Sequence, residues 1–112
     1  VRLSDYRDVG RQGEPYPPWV RALRGASGVY VLREGKTIRY IGESHTGRLY
    51  ETMTRHFQHW DLPSSCSYNR DKMNAAVLVL TRADEAPAVQ AYYIVDLAPT
   101  DNTYEQGEPL PF

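Results

Sequence analysis

Residues 28–42 read GVYVLREGKTIRYIG, and the reading of this stretch decides the fold. Two apolar runs, 28–33 and 37–42, flank a Gly-containing turn at 34–36, the pattern of a β-hairpin. Each arm carries a tyrosine close to a glycine: Tyr30 after Gly28, and Tyr40 before Gly42. A three-residue turn sets Tyr30 opposite Tyr40, whereas a two-residue turn shifts the register by one and separates them. The sequence leaves both registers open. Gly42 marks a bend or a close approach of another group to the backbone.

Working outward, the next periodic segment is 47–60. Leu49, Met53, Phe57 and Trp60 fall on one helical stripe, with Thr46 as the expected N-cap. Arg48, Thr52, Arg55 and His59 form its polar flank, and His56 lies on the border. Residues 61–73 read as a loop. The run AAVLVL at 75–80 has the length and continuous apolarity of a central strand. A second helix is expected over 84–97, with Asp84 as cap, Pro87 in the first turn, and Ala86, Val89, Tyr93 and Leu97 as its apolar row. Pro99 ends it. Upstream, Pro17 and Pro18 open a short helix through WVRAL at 19–23.

Hairpin, helix, strand, helix is an α+β order. It predicts a small three-stranded antiparallel or mixed sheet, the hairpin plus one strand, flanked by helices. One domain spans 1–112, with its core at about 27–102, an N-terminal extension at 1–26 and an extended tail at 103–112.

Composition narrows the function classes. The 112 residues are 41% hydrophobic and 24% charged, enough for one small core. A net charge of −1 gives no global basic field, so nucleic-acid binding has to rest on a local patch. The single cysteine, Cys66, excludes an intramolecular disulfide and a thiolate metal cluster, and nothing around it marks an activated thiol. That usage fits a reducing compartment, so a cytoplasmic location is the expectation. No membrane span and no charged-then-apolar leader stand out. His45, His56 and His59 lack the carboxylate or cysteine that completes a zinc pattern, and no G-x-S-x-G or phosphate-cradling glycine loop is present.

For single residues the bland readings are strong. Cross-strand tyrosines stabilise a hairpin by up to about 1 kcal/mol without any chemistry. Arg48 at a helix start reads as a solvated side chain, or as an anion contact beside unpaired backbone N–H groups. His56 reads as a half-covered ring, or as a proton carrier.

Taken together, GVY, a turn, RYIG, a helix carrying RLYETMTRHF, a strand, and a helix followed by APTDN resemble the GIY-YIG nuclease family over roughly residues 27–102. The resemblance implies a divalent-metal-dependent DNA endonuclease. Tyr30 would activate the attacking water, and Tyr40 would stand beside the scissile phosphate. Arg48 would offset transition-state charge, His56 is the histidine of the same helix, and Asn102 would brace the site. Arg39, Arg55, Arg70 and Lys72 would join Arg48 in a positive strip for DNA, single- or double-stranded. Mg²⁺ or Mn²⁺ would be the cofactor. Sequence choice would come from added segments, a partner or a homodimer.

Two departures bear on this. Arg48 precedes His56 by eight residues rather than one helical turn, which leaves Arg55 as a co-candidate. The family's metal-binding glutamate is Gln90 here. A neutral amide holds a hard cation far less well than a carboxylate. Three readings stay open for Gln90: a change that traps an inactive form, a natural loss of activity, or service by another acid such as Glu85. The chain is thus read as an endonuclease in inactive form. The alternatives are a non-catalytic nucleic-acid binder and a protein-interaction module suggested by Asp101, Glu105 and Glu108.

Overall fold

The computed structural model describes residues 2–58 and 66–102. Expectations for His59, Trp60 and the 103–112 tail fall outside them. Among the described residues, seven strands and α-helices follow one another: β1 (Arg7–Asp8), α1 (Pro18–Arg21), β2 (Gly28–Glu34), β3 (Thr37–Ser44), α2 (Leu49–Thr54), β4 (Met73–Val79) and α3 (Ala86–Leu97). No helix among the described residues is long and apolar enough to cross a membrane.

Among the described residues the sheet has four strands in the order β1-β4-β2-β3, all antiparallel. This corrects the three-stranded expectation. The added strand is two exposed polar residues, too short to leave a pattern, and Trp19 Nε1 secures it by donating to Asp8 O at 2.9 Å.

Hairpin pairing decides where the tyrosines meet. Glu34 pairs with Thr37, so the turn is the two residues Gly35 and Lys36, with Gly35 at φ 59°. A left-handed residue suits such a turn, because it matches the strand twist. Between Leu32 and Arg33 the register then shifts, which sets Tyr30 against Gly42 and Leu32 against Tyr40. The two tyrosines are therefore diagonal neighbours on one face rather than opposite each other. Their ring centroids are 6.4 Å apart.

Helices and loops cover both faces of the sheet, which explains the continuous apolar reading of β2. Tyr30, Leu32, Tyr40, Ala75 and Met73 face a cluster completed by Leu49, Met53 and Phe57 and by Val9, Val20 and Leu23 from the N-terminal segment. Val29, Val31, Ile41 and Ala76 face the other way, against Val89, Tyr93, Ile94 and Leu97 of α3.

α2 starts later and ends sooner than its periodicity suggests. Arg48 is its N-cap residue. Among the described residues no side chain caps α2; the Ser44 hydroxyl instead holds the turn before it, accepting from Arg48 N at 3.0 Å and Thr46 N at 3.4 Å. After Thr54 the chain tightens into a 3₁₀ turn, Arg55–Phe57, which carries His56 into the core. Ala98 ends α3 in a left-handed conformation, with its N–H on Ile94 O at 3.0 Å.

Candidate functional site

The residues singled out by sequence fall into two groups on either side of β3. The first is built around Tyr30. Its ring crosses the neighbouring strand at Gly42, where an added Cβ would overlap the phenol. Only glycine permits this path, which is the physical content of the glycine after Tyr40 and Ile41.

Beyond the ring, the Tyr30 hydroxyl lies 2.7 Å from His56 Nε2. On the far side of the imidazole, Nδ1 is 2.7 Å from the carbonyl oxygen of Cys66. A carbonyl can only accept, so Nδ1 carries the proton, Nε2 presents its lone pair, and Tyr30 donates. Tyr40 and Tyr68 flank the imidazole at centroid distances of 4.6 and 6.2 Å. Tyr30, Tyr40 and His56 are all completely buried.

Burial sets the protonation states. It lowers the His56 pKa from 6.5 to about 4, against the hydrogen bond to Cys66, which acts the other way; the charge of Arg55 lowers it further. Burial also pushes the Tyr30 phenol well above its usual 10, with further rises from Tyr40, Cys66 and Glu43, while Arg55 partly opposes the rise. At neutral pH the pair is a neutral phenol donating to a neutral imidazole. Arg55, rather than Arg48, is the arginine whose field reaches it.

Arg48 stands apart. It is exposed, and among the described residues its guanidinium has no hydrogen-bond or ion-pair partner. Lys72 is exposed as well. Arg39 is drawn inward between Glu34 and Asp101, at 3.6 Å from each. Arg70, expected in the DNA strip, is instead buried, at 3% exposed. Its Nε and Nη2 donate to Val9 O at 3.1 and 2.7 Å, its Nη1 donates to Glu14 O at 2.6 Å, and its guanidinium lies 4.0 Å from the Tyr16 ring centre. An arginine so buried and so bonded braces the N-terminal segment rather than facing a phosphate in solvent.

The second group lies along the open edge of β3. Asn102 Oδ1 accepts from Ile41 N, and its Nδ2 donates to Ile41 O, both at 2.8 Å. Gln90, reaching from α3 on the other face, donates its Nε2 to the same Ile41 O at 3.0 Å. Thr100 N and Asp101 N donate to Ile38 O and Arg39 O at 3.0 and 2.8 Å, so residues 100–102 cover the edge that β3 would otherwise expose. A divalent cation wants anionic oxygen. Here the partners are two side-chain amides and a main-chain carbonyl, and the Gln90 amide is turned as a donor. These residues do not fit Mg²⁺ or Mn²⁺. Among the described residues, no group of three or more His, Cys, Asp or Glu is arranged to hold a metal.

Comparison of the chain with family models, curated proteins and solved structures returned no match.

Three contributors had little or no sequence signal. Cys66 offers its carbonyl to His56 from a left-handed backbone, φ 63°, which nothing in its side chain announces. Tyr68, in a stretch that reads as a solvated loop, is buried and donates to Asp101 Oδ2 at 2.6 Å. That bond links the edge strap to the imidazole cluster. Ser44, two residues before the expected cap Thr46, holds the turn into α2 by accepting from Arg48 N.

Proposed function

We propose that this chain is a nucleic-acid-binding domain of the GIY-YIG pattern that holds a phosphodiester backbone without cleaving it. The observation that carries the reading is the Gln90 side chain. Its amide N–H satisfies Ile41 O, a buried carbonyl at the edge of the motif strand, and a carboxylate there would present lone pairs to a lone pair. The position therefore suits a hydrogen-bond donor and works against a cation ligand. Arg48 supports the binding half of the reading, as an exposed and uncommitted guanidinium beside the first turn of α2.

The test is a gel-shift titration with DNA and RNA in chelator across a salt series, with a plasmid-nicking assay in Mg²⁺ and Mn²⁺ alongside. Binding that needs no metal and weakens as salt rises is expected, with no nicking by the chain or by its Gln90→Glu variant. Absence of salt-sensitive binding to either nucleic acid would sink the proposal.

A second reading is favoured by one specific contact, the hydrogen bond from Tyr30 to the lone pair of His56 Nε2. A neutral imidazole so held orients the Tyr30 hydroxyl, the group that the resemblance casts as activator of the attacking water. On this reading the chain is an endonuclease inactivated at position 90. Metal-dependent nicking by Gln90→Glu would establish it over the first.

A further inference from the structure

Resting on the nucleic-acid reading above, we propose that Arg24, stacked on Tyr50, is a platform for one unpaired nucleobase, which makes single strands the preferred ligand class. The Arg24 guanidinium carbon lies 4.5 Å from the Tyr50 ring centre, and its Nη2 donates to the Tyr50 hydroxyl at 3.3 Å. The hydrogen bond tethers the guanidinium over the ring rather than leaving it to swing. Tyr50 is steadied from below by Tyr16, edge-on at 6.0 Å and 82°. Arg24 is exposed, and among the described residues no carboxylate lies within ion-pair distance of it.

Planarity and charge together suit the face of a base, through stacking and cation–π attraction. In a duplex that face is covered by the next base pair, so only an unpaired nucleotide can use the platform. The backbone brings the phosphate contact close by. Leu49 N donates to Ala26 O at 3.0 Å and Gly47 packs on Gly25, so the turn that follows Arg24 lies against the one that carries Arg48. A strand with one base on Arg24 would have Arg48 within reach of its backbone.

Fluorescence anisotropy can read this with three probes of equal length: oligothymidylate, an abasic phosphodiester strand and a duplex. The chain is expected to bind oligothymidylate roughly 5- to 100-fold more tightly than the abasic strand, the range for one base–side-chain stack. Arg24→Lys keeps the charge and removes the plane. It is expected to abolish the preference, bringing oligothymidylate affinity down to that of the abasic strand. Equal binding of the two strands by the unsubstituted chain, or a preference that survives Arg24→Lys, overturns the platform. In either case salt-dependent abasic binding would leave the nucleic-acid reading standing. If none of the three probes binds, both fall together.

Discussion

Position 42 carries no side chain because the Tyr30 ring fills the space that a Cβ would need, and the hydroxyl beyond it is what His56 binds. Gly42→Ala is expected to cost about 1–3 kcal/mol, the usual penalty for overfilling a packed core. Urea denaturation would show it as a lower midpoint, and an unchanged midpoint would contradict the packing described. His56 makes a prediction in pH. Its pKa is about 4 when folded and near 6.5 when unfolded, so between these values the unfolded chain binds the extra proton. Stability is then full above about pH 6.5, falls as pH drops toward 4, and loses nothing more to this group below that. The gap corresponds to about 3 kcal/mol. An imidazole NMR titration is expected to find the His56 midpoint near 4, and a midpoint at or above 6.5 would show that the ring is solvated or ion-paired instead.

At the scale of elements, β3 is an edge strand closed by side chains and a strap instead of another strand. Gln90 and Asn102 converge on the two polar atoms of Ile41, and both donate to its carbonyl. Gln90→Glu at neutral pH is expected to lose one donor and set a carboxylate against that carbonyl, at a cost of about 1–3 kcal/mol. Acid should narrow the gap to the unsubstituted chain, because a protonated carboxyl can donate where a carboxylate cannot. Paired denaturation curves at neutral and acidic pH check this, and a variant as stable as the parent at pH 7 would overturn the donor role. α2 shows a similar division of labour. Its apolar stripe was readable as Leu49, Met53 and Phe57, all buried. The turn into it was not, because the Ser44 hydroxyl that accepts from Arg48 N comes from the end of β3 and meets that amide only once the chain has turned.

At the scale of the whole molecule, Arg70 ties the N-terminal segment to the sheet through Val9 O and Glu14 O. Arg70→Lys keeps the charge but cannot reproduce the planar fork, so a loss of about 2 kcal/mol is expected. Amide exchange should then rise in β1 and α1 ahead of β2 and β3, and uniform exchange across the sheet would count against the brace. The sequence by itself determined the hairpin, the following helix, the apolar strand and the last helix, because each rests on periodicity and turn chemistry within a short window. It also pointed to Tyr30, Tyr40, His56, Gln90 and Asn102 as residues of one motif set. Only the tertiary structure decided that Gly35 and Lys36 make a two-residue turn followed by a register shift, that two exposed residues add a fourth strand, and that Arg70 points inward. It alone divided the motif residues between a buried tyrosine–histidine pair and an amide-lined strand edge. The physical reason is that register, burial and hydrogen-bond partners depend on residues far apart in the chain, such as His56 with Tyr30 and Asn102 with Ile41, and no local pattern encodes the distance between them.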